Sequence, residues 1–207
     1  MKKVYTLLFF SLLTLGLWAQ GGSWYLGGIV GYSSQNSNAN KNPATTMWYF
    51  GPEVGTFFNE NWSAGLVLGM DGMSQKDDDG DIMKRNLIKP NLYGRRWWSA
   101  GDRLGIFAGL DLAFGTGSQS TYDENQEETK TDVSSFDANL NAGVAYALAE
   151  RWTLLLKFAA LGFSSETQKM SGQDDITTTT FGLVADGNVT SNQFIFVGLY
   201  WTFAQGN

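Results

Sequence analysis

The chain has 207 residues, contains neither cysteine nor histidine, and carries 14 basic against 20 acidic residues for a formal net charge of −6. Without cysteine there are no disulfides, thiolate metal sites or cysteine-linked lipid anchors, and without histidine there are no Ser-His, Cys-His or His-metal arrangements. An acidic chain with no basic run does not neutralise phosphates, so no nucleic acid partner is expected, and the sequence offers no catalytic, cofactor or metal motif.

The first stretch, MKKVYTLLFFSLLTLGLWAQ, places two lysines before an apolar run from Val4 to Trp18 and a small residue at Ala19. That order is expected of a secretory signal peptide over 1–19, with one domain over 20–207. The run is too short for a membrane helix of about 20 residues, and no later segment supplies one, so any crossing must be made by strands. The composition agrees, since 25 glycines, 3 prolines and 14% aromatic residues favour strands and turns.

Strict alternation marks the strands in chain order. The first, Ser23 to Tyr32, sets Trp24, Leu26 and Val30 against Tyr25, Gly27 and Ile29, and a polar loop SSQNSNANKNPAT follows. The second and third form the hairpin Trp48 to Met73, turning at Asn59-Glu60-Asn61, with a greasy face on each arm and Glu53 and Asp71 on the opposite faces. The fourth, Arg85 to Trp98, places Arg85, Lys89, Tyr93, Arg95 and Trp97 on one face; a turn at Ser99 to Asp102 leads to the fifth, where Leu104, Ile106, Leu110 and Leu112 oppose Phe107 and Asp111. After an acidic loop, Thr116 to Asp132, the sixth strand runs from Ser135 to Leu148 with Asp137, Asn139 and Asn141 on its polar face. The turn Ala149 to Arg151 opens the seventh, where Trp152, Leu154, Leu156 and Phe158 oppose Thr153, Leu155, Lys157, Ala159 and Leu161. A long loop, Ser164 to Asn192, precedes the eighth strand, Gln193 to Phe203.

Eight strands joined by alternating short turns and long loops define the expected fold: an all-β, eight-stranded, antiparallel up-and-down transmembrane β-barrel, apolar outside and polar within. Trp24, Trp62, Trp97, Trp98, Trp152 and Trp201 fall beside short turns or a chain end and are expected at the membrane interface. Two features strain this reading. Pro52 and Pro90 lie in mid-strand, where a missing amide breaks the ladder, and a bulge or local widening is expected at each. The strand-like segment Ile176 to Ala185 would make a ninth strand, so it is placed in the last loop as an extension of strand seven or eight.

The segments FGPEVGTFFNENWSAGLVLG, IKPNLYGRRWW, LGIFAGLDLAFG and FVGLYWTF resemble the small outer-membrane β-barrel domain family of Gram-negative bacteria over nearly the whole chain after residue 19. The resemblance implies the outer membrane as location, outer-membrane lipids and the barrel assembly machinery as partners, and no single activity. The chain departs from the family pattern in carrying Ala204 to Asn207 after the last aromatic, Phe203.

The interior charges are then Glu53, Asp71, Asp111 and Asp137 against Arg85, Lys89, Arg95 and Lys157, expected to pair as a lumen network because buried charges must be compensated. A hairpin centred on Ala100 would set Lys89 opposite Asp111. Asp77 to Asp81 has alternating carboxylates, but aligning Gly80 with the sixth position of a calcium loop puts Gln75 first and Asn86 twelfth, so the motif fails. The leading expectation is a non-enzymatic barrel with a plugged polar lumen, acting structurally or through external loops toward a partner the sequence does not name. A small porin or channel is the alternative, and a secreted lipocalin-like carrier, with its apolar face inward, is the second.

Overall fold

The structure is a computed structural model that describes residues 23–35, 44–77, 80–123, 127–170, 174–182 and 196–203. The expected signal peptide and Ala204 to Asn207 lie outside the described residues. Among the described residues nine strands follow one another: β1 (Trp24–Gln35), β2 (Ala44–Asn59), β3 (Trp62–Asp77), β4 (Gly80–Ser99), β5 (Leu104–Tyr122), β6 (Glu128–Ala147), β7 (Trp152–Lys169), β8 (Ile176–Gly182) and β9 (Phe196–Thr202). From β1 to β7 each pairs antiparallel with the next. The ring closes because β9 pairs with β7 from Trp152 to Lys157 and with β1 from Tyr25 to Val30. Closure satisfies the backbone groups an edge would leave open to lipid.

The eighth place in the ring is shared. β9 occupies it near the short turns, whereas β8 pairs with Gly162 to Gln168, further up the same edge of β7. The segment from Ile176 therefore extends strand seven as its hairpin partner, as one of the two sequence alternatives had it, and the eighth strand begins at Phe196 among the described residues.

Burial is inverted relative to a soluble sandwich. Leu68 is 49% exposed and Leu110 46%, whereas Glu53 and Arg95 are each 1% exposed. Leu26, Leu66, Leu92, Ile106, Leu140 and Val197 continue the outward apolar surface around the ring, which water would not tolerate and hydrocarbon requires. This polarity is opposite to that of a lipocalin-like carrier.

Short-range hydrogen bonds explain the tight turns. Asn61 N–H donates to Asn59 Oδ1 at 2.9 Å, Ala100 N–H to the Leu104 carbonyl at 2.8 Å, and Leu148 N–H to the Trp152 carbonyl at 2.9 Å. At the opposite end Gly80 supplies a φ of 142°, open to glycine, and its N–H donates to Asp77 Oδ1 at 3.0 Å.

Three expectations are corrected by the register. Thr116 to Asp132 is mostly strand: β5 continues to Tyr122 and β6 begins at Glu128, its direct partner. With 20 residues each, β4 and β6 are about twice the 9–11 residues that cross hydrocarbon, so their far ends continue beyond it. Neither proline makes a bulge. The ladders lose pairs between Phe50 and Glu53 and between Ile88 and Asn91 without shifting register, as a missing amide alone requires. The bulge that matters is opposite Leu140 and Asn141, where β7 carries one extra residue between Ala159 and Leu161. It flips the alternation beyond it, so Leu161, expected inside with Lys157, is exposed on the outer face.

Leu110 lies in mid-strand, paired with Gly94 and Leu140 on the lipid-facing surface. Replacing it with arginine should destabilise the folded barrel by about 2–4 kcal/mol, measured as a lower urea midpoint for the form that resists detergent unless heated.

Candidate functional site: the charged lumen

Alternation points the small and polar face of each strand into the ring. At its centre Arg95 Nη1 donates to Glu53 Oε1 at 2.7 Å and Nη2 to Glu53 Oε2 at 3.2 Å. Tyr200 Oη donates to the same Oε2 at 2.8 Å, and the Tyr25 and Tyr93 hydroxyls hydrogen-bond at 2.6 Å. The guanidinium lies 3.9 Å from the Tyr93 ring centroid and 5.4 Å from that of Phe107. Two charges taken from water are thus met by a two-point pair, a phenol and two aromatic faces, the compensation that burial demands.

Two paired glycines make room for this layer. Gly55 and Gly65 face each other across β2 and β3, and a Cβ at either would collide with the Tyr93 hydroxyl, at Gly55 with Tyr25 as well. Larger residues there would push the tyrosines off the ion pair.

Away from the short turns three more levels follow. Lys157 Nζ pairs with Asp111 Oδ2, both side chains buried. Lys89 Nζ lies 3.5 Å from Asp137 and 3.9 Å from Asp71, and Ser164 Oγ donates to Asp137 Oδ1 at 2.5 Å. Arg85 pairs with Glu166 at 2.5 Å, and Gln168 Nε2 donates to the other Glu166 oxygen at 3.1 Å. Every charge singled out in the sequence therefore has an opposite charge within 4 Å.

The partners differ from expectation in three places. Ser99 pairs with Gly105, which centres the hairpin on Asp102 instead of Ala100; Asp111 then lies opposite Tyr93 and takes Lys157, leaving Lys89 to Asp71 and Asp137. Trp97 is not at the membrane interface: its Nε1 donates to Ser63 Oγ at 2.8 Å inside the ring and its indole packs, tilted, between the rings of Phe57 and Phe107. Glu166 is the residue sequence reasoning missed. It falls within the expected last loop, and uninterrupted alternation from Lys157 points it outward; only the β7 bulge turns it in. Tyr25, Tyr93 and Tyr200 had a readable signal, since each alternates with outward residues.

Five outer tryptophans form a band at the short-turn end, while the exposed Trp48 lies further along β2. Trp24, Trp62, Trp98 and Trp152 are exposed, Trp152 and Trp201 meet edge to face at 4.8 Å, and Arg96 lies 5.5 Å from the rings of both Trp62 and Trp98. At the other end Asp81 pairs with Lys84 at 2.6 Å and Lys76 at 3.2 Å; the Lys84 hydrogen bond, with that of Lys76, holds its carboxyl below the usual carboxylate range. Residues 78–79 lie outside those described. Among the described residues no three metal-ligating side chains converge.

A closed antiparallel ring, apolar and aromatic-banded outside and charged within, is a transmembrane β-barrel. The chain belongs to the outer membrane protein beta-barrel domain family, whose model matches residues 5–188, and it is an outer-membrane protein. Among solved structures it is similar to the translocator domain of the autotransporter NalP from Neisseria meningitidis, with 13% identity, 93% of each chain covered and a TM-score of 0.50. It is also similar to Neisserial surface protein A, with 12% identity, 89% of this chain and 100% of the other covered and a TM-score of 0.46. A third is OprG from Pseudomonas aeruginosa, with 12% identity, 89% and 97% covered and a TM-score of 0.45. At such identities the likeness concerns fold alone. No curated protein matches the chain.

Arg95→Ala would leave Glu53 charged and buried with Tyr200 as its remaining donor. The folded barrel should lose about 3–5 kcal/mol, read from urea unfolding in detergent. Adding Glu53→Gln should recover much of that loss, because the orphaned charge is removed.

Proposed function

We propose that this protein is a non-enzymatic, non-conducting barrel that contributes to the outer membrane structurally and through the strand extensions and loops at its long-loop end. The observation that carries the reading is the central layer. Glu53, Arg95, Tyr25, Tyr93 and Tyr200 come from β1, β2, β4 and β9, and Phe107 and Leu155 approach from β5 and β7, all buried in a ring only wide enough for side chains to fill. Compensated charges at four levels support the same reading, since at those levels none is left to attract a permeating ion.

The exposed hairpins support the surface role. β5 with β6, and β7 with β8, run past the apolar band carrying Ser118, Ser120, Thr129, Lys130, Thr178 and Thr180, a polar surface suited to hydrogen-bonding a partner. By the rule that short turns face the periplasm, these hairpins face outward.

Purified protein in planar lipid bilayers should give no large steady conductance. Stable openings of porin size would replace this reading with that of a channel. Protease added to intact cells should cut, if anywhere, within Thr116 to Asp132 or Ser164 to Asn192; cleavage confined to Asn59 to Asn61 or Ala149 to Arg151 would reverse the orientation.

A further inference from the structure

Between the Glu53–Arg95 pair and the short turns the lumen holds a cavity of about 220 Å³. Its walls are apolar and aromatic, formed by Phe57, Trp97, Ala147 and Leu155, with Arg95 and Arg103 as its charged members and no carboxylate among its lining residues. The two arginines differ. The charge of Arg95 is met by Glu53, but its Nε–H, buried with the rest of the side chain, has no hydrogen-bond acceptor. Arg103 lies in the turn between β4 and β5, exposed, and forms no ion pair among the described residues, although Asp102 is its neighbour.

A dry apolar cavity of about 150 Å³ is large enough to hold a benzene ring. The present cavity is larger, and at its short-turn end it adds Arg103, a cation with no ion pair among the described residues. We propose that it binds a small aromatic monocarboxylate from the short-turn side. The ring lies against Phe57, Trp97 and Leu155, and the carboxylate meets Arg103. Charge decides the class: the mouth of the site carries the single positive charge of Arg103, so it favours a monoanion over the neutral analogue, while a dianion leaves one charge unpaired.

The test uses the full folded protein in lipid nanodiscs with 3-(4-hydroxyphenyl)propionate, 3-phenylpropionate and the neutral 3-phenylpropanol as probes, read by saturation-transfer NMR and calorimetry. Both acids should bind saturably, and the alcohol roughly tenfold more weakly, the scale of one charge-assisted hydrogen bond. Arg103→Gln, in an exposed turn where folding is not at stake, should cost the acids the same factor and leave the alcohol unchanged. Ala147→Trp, which fills the mouth, should abolish binding of all three. Arg96→Gln, on the outer face, should change nothing, which separates the cavity from general attraction to the bilayer surface. The proposal is overturned if neither acid binds saturably, if the alcohol matches the acids, or if Arg103→Gln binds them as the parent does.

Discussion

The bidentate contact between Arg95 and Glu53 is the constraint around which the lumen is arranged. Each charge, taken alone into a side-chain-filled interior, would cost several kcal/mol, and their attraction offsets that only with the remaining donors and acceptors in place. The surroundings follow from this need. Tyr200 gives Glu53 a second donor, Tyr93 gives the guanidinium a π-face, and Tyr25 ties off the Tyr93 hydroxyl. Because Tyr200 is on β9 and Tyr25 on β1, the same layer joins the two ends of the chain, so completing the charge network and closing the ring are one event.

The outer surface answers to a different solvent. Hydrocarbon accepts no unpaired backbone group, which makes closure obligatory over the apolar band and optional beyond it. The strands reflect this division. β9 seals β7 to β1 where the outward residues are Leu, Val and Trp, while β8, among the described residues, pairs only with β7, from Gly162 to Gln168, where serine and threonine predominate. The prolines fit the same logic from the other side: Pro52 and Pro90 each break a few ladder bonds, and the closed ring tolerates both because register is held by long pairings above and below.

Interior and exterior thus divide the chain's chemistry. Compensated charges and phenols inside give rigidity, and polar hairpin ends outside give a surface for contact. The short-turn end is the exception, where the lumen becomes apolar and Arg103 forms no ion pair among the described residues.

What the sequence determined by itself was everything carried by period-two alternation: the barrel class, the lipid-facing residues, the eight interior charges, and the three short turns signalled by polar clusters beside tryptophan. Alternation is local, set by the pleat of each strand, so it needs no knowledge of neighbours. Which charge meets which was decided only by the tertiary structure. A two-residue displacement of one hairpin moved Asp111 from Lys89 to Lys157, and one extra residue in β7 turned Glu166 inward and Leu161 outward. Trp97 shows the same limit, for its position beside a turn indicated the interface while its parity indicated the lumen, and only packing against Phe57, Phe107 and Ser63 resolved the two. Register and bulges arise from competition between whole strands for pairing, a property of the closed ring that no single strand contains.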